Sequence, residues 1–145
     1  GNTATTEQGL GSVSSGFGPY DTTVIQSGNS NTSNVFQRSI ASTVFVEQIG
    51  DGNISTVSQL AYNAGSNANS SNNASVTQSG DLGISEITQT GDSNMATLLQ
   101  GGLTNESYVT QTGNSHTATV TQNGAGDYSI ITQGGTGGTA TVTQN

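Results

Sequence analysis

The chain has no cysteine and no tryptophan, one proline, and a single basic side chain, Arg38, against nine Asp and Glu. Without cysteine there are no disulfides and no thiolate metal sites, and the redox compartment cannot be read. One Arg against a net charge of −8 excludes a nucleic-acid binder, because a phosphate backbone is held by basic side chains. The same shortage excludes an anionic membrane surface as partner. No apolar run approaches the roughly 20 residues of a membrane-crossing helix, so no membrane insertion is expected. Hydrophobic residues make up only 29% and charged residues only 7%. The first figure leaves little for a conventional core. The second argues against ordinary disorder, which pairs low hydrophobicity with high charge density.

What remains is Asn, Gln, Ser, Thr and 21 Gly. Such a composition suits either a low-complexity tract or a repeat that satisfies its amides by stacking. At 145 residues the chain is the size of one domain, taken as 1–145. It opens on Gly1 rather than Met, with no signal peptide in view, which fits a processed, secreted chain or any trimmed one.

The repeat is carried by glutamine: Gln8, Gln26, Gln37, Gln48, Gln59, Gln78, Gln89, Gln100, Gln111, Gln122, Gln133 and Gln144. Every step is 11 residues except Gln8 to Gln26 (18, or 11 plus 7) and Gln59 to Gln78 (19, or 11 plus 8). Those two stretches are turn-like, and longer arcs are expected at 9–21 and 60–73. Two residues before each Gln from Gln26 onward stands an aliphatic: Val24, Val35, Val46, Val57, Val76, Ile87, Leu98, Val109, Val120, Ile131 and Val142. Four before it stands a small residue in most copies, alternating Ala and Ser from Ala74 onward, so the true unit is 22 residues in two halves. Two after it comes glycine in eight copies: Gly28, Gly50, Gly80, Gly91, Gly102, Gly113, Gly124 and Gly135.

Small residue, aliphatic and Gln alternate with Thr in TATVTQN, which occurs at 117–123 and again at 139–145. Period two is a strand with two unlike faces. The Gly and Asn between strands suit tight arcs. The expected fold is all-β: a β-solenoid of strand–arc–strand repeats, 22 residues per rung and about six rungs, with two facing parallel sheets in cross-β stacking. Small, aliphatic and Gln positions point between the sheets. A buried Gln is tolerable there only as a continuous ladder, since an unpaired buried amide costs about 1–3 kcal/mol. Both ends read as half-repeats, so each is expected to offer an open strand edge to another copy. A head-to-tail contact of that kind does not close and builds a filament.

The segment QTGDSNMATLLQ at Gln89–Gln100 fits Gln-x-Gly-x-x-Asn-x-Ala-x-x-x-Gln, with close variants QIGDGNISTVSQ at Gln48–Gln59 and QGGLTNESYVTQ at Gln100–Gln111. The pattern resembles the repeat of curlin, the subunit of the bacterial extracellular amyloid called curli. That resemblance implies secretion as an unfolded chain and assembly into cell-surface fibres for biofilm matrix and adhesion. It also implies a minor curlin as nucleator and dedicated export and chaperone proteins as partners. The family usually carries a non-repeat N-terminal secretion segment, and none is distinct here. The scarcity of Lys and Arg fits a major subunit better than a nucleator.

No enzyme, cofactor or metal site is expected. His116 takes the arc position held elsewhere by Asn31, Asn53, Asn94 and Asn105, and is expected to face solvent. Asp51, Asp81 and Asp92 follow their Gln by three residues. Asp51 and Asp81 fall on adjacent rungs and could share a calcium ion, though soluble surface acids are the plainer reading. Outward Thr pairs (Thr119 with Thr121, Thr141 with Thr143) raise a rival function, a monomeric ice-binding solenoid. Leu99 and Ser75 interrupt that array. By parity Phe36, Phe45, Leu99, Tyr108 and Ile130 also face outward, where they could bundle filaments sideways.

Overall fold

The computed structural model describes residues 1–9, 19–61 and 70–145. Among them are twelve strands and no helix: β1 Thr3–Gln8, β2 Asp21–Ser27, β3 Thr32–Arg38, β4 Thr43–Ile49, β5 Ile54–Leu60, β6 Asn73–Gln78, β7 Ile84–Asp92, β8 Met95–Gln100, β9 Glu106–Asn114, β10 Thr117–Gln122, β11 Tyr128–Thr136 and β12 Thr139–Gln144. The odd strands form one six-stranded sheet in the order β1-β3-β5-β7-β9-β11, and the even strands form a second in the order β2 to β12. All pairing is parallel. Each odd strand with the even strand after it makes one rung of a β-solenoid, six rungs in all.

Register explains why the sequence repeats. Gln pairs with Gln and aliphatic with aliphatic, as in Val57↔Ile87 and Gln59↔Gln89. Thr32 lies over Ile54, 22 residues on, and most rungs keep that spacing. Thr3↔Thr32 spans 29 residues and Ile54↔Ile84 spans 30, so the extra seven and eight residues sit in the β1–β2 and β5–β6 connections. The register continues across both. Of the arcs expected at 9–21 and 60–73, residues 10–18 and 62–69 lie outside the described ones. At their flanks Asp21, Leu60 and Asn73 are already strand.

The core is one cluster of aliphatics from both sheets: Val35, Val46, Val57, Val76, Ile87, Leu98, Val109, Val120 and Ile131, with Val44, Ala74, Ala96 and Ala118 beside them. Val24 and Val142, in β2 and β12 at opposite ends of the even sheet, are only partly buried. Full burial of such a side chain contributes roughly 1.5–3 kcal/mol, so stability accumulates rung by rung. β1 is exposed throughout, and Thr6 stands where later odd strands carry an aliphatic.

Candidate functional site

The inward glutamines form two columns. In the odd sheet Nε2 of each donates to Oε1 of the next: Gln8 to Gln37 (2.8 Å), Gln37 to Gln59 (3.0 Å), Gln59 to Gln89, Gln89 to Gln111 and Gln111 to Gln133 (each 2.9 Å). The even sheet repeats this from Gln26 to Gln48 (2.8 Å), Gln48 to Gln78 (2.9 Å), Gln78 to Gln100 (2.8 Å), Gln100 to Gln122 and Gln122 to Gln144 (both 3.0 Å). From Gln37 to Gln122 these side chains are buried.

The second N–H of most of these amides crosses to a backbone carbonyl of the facing sheet. Gln89 reaches Asn73 (2.9 Å), Gln111 reaches Met95 (3.0 Å) and Gln122 reaches Glu106 (3.0 Å). A carbonyl can be met only by the nitrogen side of an amide, so these cross-bonds fix which way every Gln but Gln8 points, and Gln8 Nε2 meets the Thr22 hydroxyl instead. Every Gln–Gln bond therefore runs in the same sense, from the β1–β2 rung toward the β11–β12 rung.

Asparagine builds further ladders at the two edges, where the repeat pattern marked the Asn positions only as arc residues. The residue before each odd strand forms one column. There the Asn53 N–H donates to Asn31 Oδ1 (2.9 Å), the Gly83 N–H to Asn53 Oδ1 (2.8 Å) and the Asp127 N–H to Asn105 Oδ1 (2.9 Å). The residue before each even strand forms the other. The Asn94 N–H donates to Asn72 Oδ1 (3.0 Å) and the His116 N–H to Asn94 Oδ1 (3.1 Å). His116 is thus not solvent-facing, as its arc position had led us to expect, but 1% exposed. A turn residue in one rung is covered by its counterpart in the next, and a single arc cannot reveal that.

The eight expected glycines stack in two columns, and two reasons, close approach and positive φ, act in both. A Cβ on Gly28, Gly80, Gly91, Gly102 or Gly113 would collide with the carbonyl of the glycine stacked on it. Six of the eight have positive φ, but Gly80 and Gly124 do not, so close approach rather than conformation selects Gly80. Gly91, Gly113 and Gly135 are not in arcs but within β7, β9 and β11, whose pairing continues past the Gln. The left-handed corner recurs instead four residues after the Gln, at Ser30, Ala41, Leu82, Ser93, Thr104 and Ser115, with φ of 56–58°.

Asp51 and Asp81 lie on adjacent rungs, and their carboxylates serve the backbone. Asp51 Oδ1 accepts from the Asn29 N–H (2.7 Å), and Asp81 Oδ1 accepts from the Asp51 N–H (2.8 Å). Asp92 stands on the opposite edge, and its buried Oδ1 has no hydrogen-bond partner among the described residues. Among the described residues no three His, Cys, Asp or Glu side chains converge as a metal site. The outward rows through Thr117 and Thr121 end at Met95 and Leu99 of β8, both exposed, while the row through Thr119 runs on to Thr97 and stops at Ser75. Phe45, Leu99 and Ile130 are exposed, while Phe36 and Tyr108 are half-buried. Phe36 lies under the Arg38 guanidinium, and Tyr108 lies 5.9 Å from Tyr128.

No curated protein matches the chain. Residues 91–124 match the family described as the curlin-associated repeat. They span the end of β7 through β10 and carry, in the same frame as every other rung, the ladder residues Gln100, Gln111 and Gln122. The matched repeat, set in a solenoid whose other rungs keep the same frame, supports a likeness to curlin-repeat proteins.

Proposed function

We propose that the chain is a structural subunit that stacks head to tail on copies of itself into a secreted, curli-type amyloid fibre. Its roles would be biofilm matrix, adhesion and surface colonisation. One observation carries this reading: two in-register Gln columns, each polar along its length, run through all six rungs. Gln8 and Gln26 enter their columns as donors, and Gln133 and Gln144 as acceptors. A second copy set with β1 and β2 over β11 and β12 continues both columns, donor to acceptor, and the same operation repeats without closing. The curlin-associated repeat belongs to a structural family, in keeping with a non-enzymatic role and no cofactor. Resemblance to curlins adds a minor curlin nucleator and export and chaperone proteins as partners, and the cell surface as location.

Incubation of the purified chain, followed by negative-stain microscopy and fibre diffraction, tests this. Unbranched fibres with a meridional reflection near ~4.8 Å are expected. Persistent isolated particles without that reflection would overturn the reading.

A further inference from the structure

His116 is the chain's only histidine, and it replaces an amide in a buried ladder. The column before the even strands runs Ser42, Asn72, Asn94, His116, Gly138. Each acceptor takes the backbone N–H one rung on: Ser42 Oγ from Asn72 (3.1 Å), Asn72 Oδ1 from Asn94 (3.0 Å), Asn94 Oδ1 from His116 (3.1 Å) and His116 Nδ1 from Gly138 (3.0 Å). The imidazole nitrogen thus does the work of an amide oxygen, at the position that starts β12.

The substitution is incomplete. Asn72 and Asn94 also donate through Nδ2, to the Gly91 carbonyl (2.7 Å) and the Gly113 carbonyl (2.9 Å). His116 Nε2 is buried and has no hydrogen-bond partner among the described residues. An Asn cannot change its pattern of donors and acceptors, but an imidazole can. With Nδ1 accepting, only the neutral ring protonated at Nε2 fits. A proton added at Nδ1 sets two donors face to face, Nδ1–H against the Gly138 N–H, inside a buried site.

Among the described residues no charged group is hydrogen-bonded to the ring. β8, β10 and β12 carry no ionisable side chain. On the odd strands alongside, the titratable groups are Glu86 and Asp92 of β7, Glu106 and Tyr108 of β9, and Tyr128 of β11. None of them hydrogen-bonds to the ring, and the ion pair formed among the described residues joins Arg38 to Glu7.

We propose that His116 is a proton-sensitive latch on the last rung: acidification breaks the Nδ1 to Gly138 bond and releases β12 from β10. The sign follows from the geometry. The bond exists while Nδ1 is free to accept, so docking of β12 is present with the ring neutral and lost once Nδ1 takes a proton. The inference does not depend on filament formation. If filaments form, β12 lies at the face on which the next copy rests, and acid slows their extension there.

Hydrogen exchange of the full chain, corrected for the intrinsic pH dependence, tests the latch. Between about pH 7.5 and about pH 5, protection of Thr139–Gln144 is expected to fall by about tenfold or more, while β8 stays protected. His116→Asn, which restores the amide, should abolish the drop. Equal pH response in both chains, or loss spread evenly over all rungs, would overturn it. Should the variant misfold, ¹⁵N spectra of the single imidazole in the unaltered chain decide. A neutral ring protonated at Nε2 supports the latch, and a charged ring or one protonated at Nδ1 at neutral pH sinks it.

Discussion

Gln100 donates to Gln122 Oε1 at 3.0 Å and, through the same nitrogen, to the Ile84 carbonyl at 3.0 Å, so one side chain ties two rungs and both sheets together. Gln100→Ala strips an acceptor from Gln78 and a donor from Gln122. Two buried groups left unpaired cost about 1–3 kcal/mol each. The exposed Thr97→Ala should stay within about 0.5 kcal/mol. Urea midpoints check the pair, and equal losses would contradict the inward assignment. In fibre growth followed by thioflavin fluorescence, Gln122→Ala should likewise slow extension more than Thr121→Ala.

The hydroxyls of Ser33, Ser55 and Ser85 are buried without a partner among the described residues, whereas Ser129 donates to Ser107 at 2.9 Å. At the corresponding places the even sheet carries Ala74, Ala96 and Ala118. Ser55→Ala is therefore expected to raise stability by about 1 kcal/mol, because it removes a desolvated polar group and leaves the shape nearly unchanged. A fall in the urea midpoint would show that the hydroxyl holds a bond worth more than its desolvation.

Thr104 sits at φ 56°, a β-branched residue in the left-handed region. That conformation costs about 1–2 kcal/mol relative to glycine, partly offset by glycine's greater freedom when unfolded. Thr104→Gly should gain up to about 1 kcal/mol, while Gly80→Ala should lose more than that, since its Cβ would meet the Gly102 carbonyl. Opposite signs at these two positions, in stacked arcs of adjacent rungs, are the outcome to look for in denaturation curves.

Burial raises the Tyr108 phenol above its ordinary value of 10.0, and the Glu106 carboxylate beside it adds to the shift. The fold favours the neutral phenol. Its contribution is complete below the ordinary value and is lost as pH climbs through the raised one. Stability should drop in strongly alkaline solution, and less so in Tyr108→Phe. An identical alkaline limb in the two chains would remove Tyr108 from the cause.

Much of this architecture was legible because it is periodic. A strand of alternating faces writes its period into the sequence, and a parallel stack copies it, so Gln26 through Gln144 and the aliphatics before them located every strand from β2 onward. The arcs were harder. Asn at Asn31 or Asn94 is as good a residue for an exposed turn as for a buried ladder, and only the next rung separates the two. The division of those Asn into two edge columns was hidden for the same reason, because both halves of the 22-residue unit look alike. Ser30, Leu82 and Thr104 gave no sign of left-handed geometry, since that signal is ordinarily glycine. His116 looked like an isolated polar residue until the column above and below it was in place.

The common sense of the ten Gln–Gln bonds has an electrical consequence. Each primary amide is a small dipole with its nitrogen toward the β11–β12 end, and because none is reversed they add along the axis. The particle is therefore a polar rod as well as an acidic one, and two such rods lying side by side are of lower energy when they point in opposite directions.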